Sequence, residues 1–208
     1  MRLIAALVYL IGVYAVLLAL PNFYLPGNLG ARLAAVWLAV FVATLAHEIG
    51  HAWAVRALGG QVRVFMVAPF KLQLKPRRLT LAIPIGNGDL GGYVSYTLDR
   101  VEARRGHALI AAAGPAANIV LALLAALAAV LIAGPQGIAA VATGYSGGHP
   151  PSHAEFQAWM TRRDHIALAE FLAVVSAGMA LANLIPFKGS DGGRIYGALT
   201  HRSRGKRG

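Results

Sequence analysis

The sequence predicts an all-α membrane protein with four transmembrane helices and a small membrane-associated β-sheet between the second and the third helix. Of its 208 residues, 57% are hydrophobic and only 13% are charged, and the mean hydropathy is positive. Four long apolar stretches alternate with polar ones, and one polar stretch shows the residue alternation of β-strands. This pattern is typical of an integral membrane protein. We expect a single domain over 1–208.

The chain contains no cysteine and carries a formal net charge of +11. Without thiols, any metal ion must be held by histidines and carboxylates. A basic protein can bind nucleic acid, but these basic residues lie where a membrane protein places them on its cytoplasmic side. We therefore expect contact with a lipid bilayer and no nucleic-acid partner.

The four apolar stretches have the length of membrane-spanning helices, since about 20 apolar residues cross a bilayer core. They cover about 3–20, 31–58, 107–133 and 166–187. A signal peptide is the alternative for the first stretch, but its apolar part is long and no small-x-small cleavage site follows it cleanly. Gly59-Gly60 is expected to end the second span, and Pro115 to bend the third.

The polar region between the second and third spans, at about 61–96, predicts the sheet. Residues 71–75 and 79–83 alternate apolar and polar side chains, and 91–96 could form a further strand. Pro76, Pro84 and the segment 86–88 separate these strands. A solvated loop is the alternative. The basic tail, 194–208, is expected to set topology or contact anionic lipid.

The basic residues also predict the orientation in the membrane. With the amino terminus in the cytoplasm, sixteen of the 19 lysines and arginines lie on the cytoplasmic side, as the positive-inside rule requires. Both termini are then cytoplasmic, and the later half of the second span, the start of the third and the end of the fourth meet on that side. The compact Ala-, Gly- and Arg-rich chain suggests a prokaryotic inner membrane.

The segment His47-Glu48-Ile49-Gly50-His51 is an H-E-x-x-H motif inside the second span. Positions i and i+4 share one helix face, so His47 and His51 can hold one metal ion together. Glu48 lies beside that ion, where a base can take a proton from an activated water. Chance occurrence is the alternative, but ionisable groups at membrane depth are costly and normally functional.

Two further polar positions are expected at a similar depth. Asn118 lies about 16 Å into the third span by helix rise, and a simple helix–helix hydrogen bond is the alternative to a functional role. Asn183 lies near the end of the fourth span. Asp191 follows a proline- and glycine-containing turn, which predicts a carboxylate on irregular backbone beside the membrane.

These motifs together resemble the site-2 protease family of intramembrane zinc metalloproteases, in a compact form without PDZ or CBS domains. The resemblance spans about 31–194 and rests on the H-E-x-x-H motif and three other segments. These are Gly114-Pro115-x-x-Asn118, Asn183-x-x-Pro186 followed by Asp191-Gly192-Gly193, and Gly91-Gly92-Tyr93-Val94, which is similar to the family's strand region.

The resemblance implies a set of roles for these residues. One Zn²⁺ would be held by His47, His51 and Asp191, with Glu48 as the catalytic glutamate. Substrate binding would fall to two asparagines and a strand, namely Asn118, Asn183, Gly91, Gly92 and Tyr93.

The implied activity is that of a zinc-dependent intramembrane endopeptidase. It would hydrolyse a peptide bond in or near a transmembrane helix of a membrane-bound protein or peptide, as in regulated intramembrane proteolysis, with Glu48 as general base towards a metal-activated water. The active site would face the cytoplasmic side, and an extended substrate segment could pair with the sheet. A regulatory membrane partner or a homo-oligomer stays open.

The same residues leave two other functions as alternatives. A catalytically silent zinc-binding scaffold of the same fold would be expected to lack Glu48 or a ligand, and the chain has them all. A membrane metal transporter would need ligands across the whole membrane, and the outer halves of the spans offer only Glu170. His149 and His153 fit surface histidines better than a second metal site.

Overall fold

The computed structural model describes residues 25, 27–81, 91–98, 103–143, 153–187 and 189–200. Within these residues the chain is mostly helical, and three helices are long and apolar enough to cross a membrane: Leu29–Ala57, Arg104–Gly134 and Thr161–Leu184. The prediction of four transmembrane helices is thus not confirmed, because three are found and the stretch 3–20 lies outside the described residues. The small antiparallel sheet lies between the first and second of these three helices rather than between a second and a third, because the predicted first span is not among the described residues; by residue number the strands begin at Gln61 and end at Thr97, close to the predicted 61–96.

The described elements follow one another with four strands between two groups of helices. The helices are α1 (Leu29–Ala57), α2 (Ala103–Thr143), α3 (His153–Leu184) and α4 (Asp191–Thr200), and the strands are β1 (Gln61–Val67), β2 (Phe70–Leu74), β3 (Arg77–Leu81) and β4 (Gly92–Thr97). Pro84, the segment 86–88, His149 and the tail beyond residue 200 lie outside the described residues.

Helix α1 has a polar cap at its start and a glycine stop at its end. The Asn28 side chain accepts a hydrogen bond from the Ala31 N–H at 3.0 Å, which satisfies one of the free donors of the first turn. After Leu58, Gly59 adopts φ 74°, a left-handed conformation that glycine takes at little cost. The predicted end of this span at Gly59-Gly60 is confirmed.

The sheet has the strand order β3-β2-β1-β4, and all of its pairs are antiparallel. Strands β2, β3 and β4 lie close to the predicted segments 71–75, 79–83 and 91–96, but β1 was missed. The burial of β1 alternates over Gln61, Val62 and Arg63 but not at its end, where Met66 and Val67 are both buried. A strand segment covered on both faces lacks the period-two pattern by which sequence reveals a strand.

A hydrophobic cluster fixes the sheet to the helices. This cluster, called the Val55 cluster below, joins Val55 of α1, Val62 of β1 and Ile110 of α2. Val94 of β4 packs against it. Val55 lies in the later half of α1, about one helical turn after His51. The sheet is therefore anchored at the end of α1 that carries the H-E-x-x-H motif.

Small residues allow α1 and α2 to pack closely. A Cβ atom on Gly50 would collide with the Ala113 carbonyl oxygen and lie 2.8 Å from the Ala117 Cβ, so only glycine permits this approach. Helix α2 continues through Pro115, and its φ/ψ angles leave the helical region at Gly134, close to the predicted end of the span at about residue 133.

The turn between α3 and α4 places Asp191 differently from the prediction. Ser190 caps α4, because its Oγ accepts the Gly193 N–H at 3.0 Å and the Phe187 N–H at 3.2 Å. The expectation of irregular backbone at Asp191 is wrong, since Asp191 is the first residue of a helix. A Cβ on Gly192 would collide with the Leu184 carbonyl, so the tight return also requires glycine there.

The contact between α1 and α2 gives a prediction for stability. Gly50→Ala should destabilise the protein by about 1–3 kcal/mol, because the added methyl group meets the α2 backbone in a packed interior. Thermal unfolding of the purified protein in detergent measures the effect. Gly178→Ala is the matched control, since a Cβ there meets no atom within 4 Å. Equal unfolding temperatures for the two variants would contradict the close packing described here.

Candidate metal centre

Three buried side chains from two helices converge on one point. His47 Nε2 lies 3.0 Å from Asp191 Oδ2, His51 Nε2 lies 3.2 Å from the same oxygen, and the two Nε2 atoms are 3.1 Å apart. His47 and His51 lie on one face of α1. Helix α4, whose start is capped by Ser190, supplies the Asp191 carboxylate. The three residues are 6%, 6% and 4% exposed. They form a group that could hold a metal ion, and His47, His51 and Asp191 together are called the metal group below.

The donor atoms and their spacing fit zinc. Ligands about 2.0–2.1 Å from a tetrahedral zinc ion lie about 3.3 Å from one another, which is near the three distances observed. His51 Nδ1 lies 2.6 Å from the Ile110 carbonyl oxygen. A carbonyl only accepts, so Nδ1 carries the proton and the lone pair of Nε2 points at the group.

Gly114 of α2 makes room for the two imidazoles. A Cβ atom at this position would lie 2.5 Å from His51 Nε2 and 2.7 Å from His47 Nε2. Both nitrogens are the candidate ligand atoms, so any side chain at this position would displace them. The glycine of the Gly114-Pro115-x-x-Asn118 motif is thus explained by its contact with the metal group.

Asp191 is ionised at neutral pH. Burial raises the pKa of its carboxyl group, but hydrogen bonds and charge interactions with His47 and His51 outweigh that effect and lower the pKa to about 2. Its second oxygen, Oδ1, lies 3.6 Å from Nη1 of the largely exposed Arg194. The carboxylate is therefore in the form that a metal ion needs as a ligand.

Glu48 lies against the start of strand β4. Its side chain is 5% exposed, and it follows His47 directly in the chain. A Cβ atom on Gly92 would lie 2.8 Å from both Cγ and Oε1 of Glu48. The glycine at the start of β4 therefore lets the strand pass directly against the carboxylate.

Strand β4 is an outer strand of the described sheet, and its backbone pattern can be read from one hydrogen bond. The Ala68 N–H donates to the Gly91 carbonyl at 2.7 Å, next to the Val67–Gly92 pair. Along an antiparallel ladder, residue pairs that are hydrogen-bonded to each other alternate with pairs whose N–H and C=O groups point away from the partner strand. Gly91 and Tyr93 therefore face β1, and Gly92 and Val94 direct their N–H and C=O groups outwards.

The two asparagines have different surroundings. Asn118 is fully buried, and its Nδ2 lies 3.2 Å from His47 Nδ1. Asn183 is partly buried and donates its Nδ2–H to the Met179 carbonyl at 3.0 Å, within its own helix. The structure therefore brings Asn118 to the metal group, while the hydrogen bond described for Asn183 is local.

Three contributors to the site were missed by the sequence analysis. The Ile110 carbonyl that orients His51 belongs to the backbone and has no sequence signal. Arg194 beside Asp191 was counted only as a basic residue. Ser190 could have been found, because a serine directly before an acidic first turn is a typical start of a helix.

An apolar cavity of about 290 Å³ lies beside the start of β4. It is formed by the face of α1 that precedes Glu48 and by the β1–β2 turn. Its lining residues include Trp37, Phe41, Thr44, Val67 and Gly91. Because Thr44 lies one helical turn before Glu48, the cavity adjoins the candidate catalytic group.

A buried His-His-Asp group with an adjacent glutamate, in a chain with apolar helices of spanning length, is typical of a metallopeptidase-type centre in a membrane protein. The chain belongs to peptidase family M50, whose family model matches residues 35–208. This match confirms the resemblance to the site-2 protease family and includes every residue of the metal group. Comparison with curated proteins and with solved structures gave no match. The family and the three apolar helices indicate an integral membrane protein.

The role of Gly114 gives a prediction for metal content. Gly114→Ala should lower the zinc content of the purified protein strongly, because the new methyl group occupies the space of both Nε2 atoms. Elemental analysis per protein chain measures this, with Gly197→Ala as control, where a Cβ meets nothing within 4 Å. If the Gly114→Ala protein keeps full zinc content, the His47–His51 pair is not the ligand set.

Proposed function

We propose that this protein is a zinc-dependent intramembrane endopeptidase that cleaves a peptide bond in or near a transmembrane helix of a membrane-bound substrate. The observation that carries the proposal is the buried group of His47, His51 and Asp191, with the buried Glu48 next to His47 in the chain and in contact with an outer strand. Membership of peptidase family M50 supports the same activity.

In this proposal His47, His51 and Asp191 hold one zinc ion. Three protein ligands leave one position open, as in catalytic sites. When bound there, zinc supplies a Lewis acid that polarises the peptide carbonyl and makes water more acidic. The surrounding α1 and α2 helices exclude bulk water from the ligands, which strengthens every charge interaction inside the group.

Glu48 moves the proton. Its carboxylate accepts a proton from the attacking water and later gives it to the leaving amine, so that a neutral amine and a carboxylic acid result, and the acid then transfers its proton to the more basic amine. The close approach of Gly92 brings β4 directly against the carboxylate. A substrate bound along β4 would therefore present its carbonyl next to the base.

The substrate would bind as an extended strand. A peptide bond within a helix is shielded by its own hydrogen bonds, so the substrate must unwind before it is attacked. The outward N–H and C=O groups of Gly92 and Val94 can replace those hydrogen bonds by strand addition. Of the substrate-binding residues predicted on this strand, Gly92 would then bind the substrate backbone, and Gly91 lines the apolar cavity, which suits a side chain of a membrane segment. Tyr93 directs its backbone groups to β1 and would act only through its side chain.

The remaining parts of the proposal concern the setting of the enzyme. We propose one domain in a prokaryotic inner membrane, with cytoplasmic termini and with the active site on the cytoplasmic side. The substrate is a transmembrane protein or peptide, and Asn183 lies near the end of α3 where a substrate groove would open. A regulatory membrane partner or self-association would control access.

The assignment of Glu48 gives the main prediction. Glu48→Gln should abolish cleavage of membrane-spanning peptides while zinc content stays at the wild-type level, because the amide cannot accept the proton and is not a ligand. Cleavage by the purified wild type and variant, at matched zinc content, measures this.

The outcomes of that comparison separate the candidate functions. Equal cleavage by both proteins would refute Glu48 as the base. If neither protein cleaves any of the candidate substrates while both hold zinc, a catalytically silent zinc-binding scaffold becomes the better description.

The edge of β4 gives a second prediction. Val94→Pro should slow cleavage with little change in zinc content, because it removes an outward N–H without removing a hydrogen bond to β1. Val94→Ala is the matched control, since it loses the same packing against the Val55 cluster but keeps the N–H. Equal cleavage rates for the two variants would exclude strand addition at this edge.

A further inference from the structure

Asn118 lies behind His47, on the side of the imidazole that faces away from the metal group. Its side chain is fully buried, and its Nδ2 is 3.2 Å from His47 Nδ1. Its Oδ1 is also buried and has no hydrogen-bond partner among the described residues. An unsatisfied buried amide oxygen is costly, so its presence next to a candidate ligand requires an explanation.

The hydrogen bonds around His47 define where its proton lies in this arrangement. A neutral imidazole has one N–H and one lone pair. Because the Asn118 amide donates to Nδ1, the proton is on Nε2. There it points between two acceptors, Asp191 Oδ2 at 3.0 Å and His51 Nε2 at 3.1 Å. The three ligands therefore hold one another together through a single shared proton.

Metal binding requires the other tautomer of His47. A metal ion uses the lone pair of Nε2, so the proton must move to Nδ1. The new Nδ1–H would then face the NH₂ group of Asn118, which places two donors against each other in a buried site. A half-turn of the amide removes this conflict, because it brings Oδ1 to the Nδ1–H and satisfies the orphaned oxygen as well.

We propose that Asn118 is a positioning residue that exchanges its amide NH₂ for its amide oxygen towards His47 when the metal ion binds, and so sets the zinc affinity of the site. The inference rests on the proposed function for the identity of the ion. An asparagine serves both states, whereas a carboxylate only accepts and an aliphatic side chain does neither.

The contrast with His51 supports this inference. Its Nδ1 faces the Ile110 carbonyl at 2.6 Å, which accepts in every state, so its tautomer is fixed with a free Nε2 lone pair. His47 is the ligand whose proton must move, and it is the one that contacts an amide. The complete burial of Asn118 also separates this role from a direct contact with substrate.

The test measures the zinc dissociation constants of the Asn118→Leu and Asn118→Asp variants. Each is obtained by chelator competition on the purified full-length protein in detergent. Asn118→Leu keeps a similar volume without polar atoms, and it should bind zinc about 10–100-fold more weakly, as expected for loss of a ligand's hydrogen-bond partner. Asn118→Asp should bind zinc at least as tightly as the wild type, because a carboxylate accepts the Nδ1–H of the metal-bound state.

The metal-free proteins provide a readout that packing alone would not produce. Thermal unfolding without zinc should show Asn118→Asp to be less stable than the wild type, since a carboxylate cannot donate to His47 Nδ1. Zinc should then raise its unfolding temperature by more than that of the wild type. Unchanged zinc affinity in Asn118→Leu, or equal weakening in the Leu and Asp variants, would overturn the inference.

Two further variants keep the outcome decisive. If Asn118→Leu does not fold, Asn118→Ala takes its place with the same expectation. Asp191→Ala, which removes a ligand, separates this inference from the proposed function. If Asp191→Ala binds zinc like the wild type, the metal centre itself is refuted. If Asp191→Ala loses zinc and the Leu variant does not, only the role of Asn118 is refuted.

Discussion

The structure depends on bringing Asp191 to His47 and His51 within a largely apolar bundle. Ionisable groups in such surroundings are costly unless each finds a partner, and here the carboxylate and the two imidazoles are partners to one another. The contact joins residues 144 positions apart, so it also fixes α4 against α1. Gly50, Gly114 and Gly192 are needed for the same reason, because each removes a side chain that would keep these backbones or ligands apart.

The position of the sheet depends on the same part of α1 that carries His47 and His51. The Val55 cluster holds it against the end of α1 that bears the H-E-x-x-H motif, and Gly92 brings β4 into contact with Glu48. A proton acceptor is useful only if the reacting bond arrives beside it. An outer strand with backbone groups directed away from the sheet can present an extended chain there. The proposed catalytic group and the proposed substrate-binding strand are therefore positioned by one packed unit rather than by separate loops.

Much of this was visible in the sequence, and the exceptions have physical reasons. The spans beginning near 31 and 107 follow from apolar length, and His47 and His51 follow from the i, i+4 spacing. Strand β1 escaped because its end, where Met66 and Val67 are both buried, does not alternate. The helical start at Asp191 escaped because glycines there suggested a break, whereas Ser190 caps a new helix. The contact of Asn118 with His47 depends on the packing of α1 against α2, which spacing within a single helix cannot specify.

The two histidines differ in a way that bears on how such a site can exist before a metal ion arrives. His51 is held by a backbone carbonyl and presents a lone pair. His47 is held by a side chain that can donate or accept, so it can offer either a proton or a lone pair. A group built from two carbonyl-held histidines and a carboxylate would place three acceptors together, which repel when no cation is present. One histidine with an exchangeable partner removes that repulsion, and the ligands can stay assembled within the membrane until a cation replaces the shared proton.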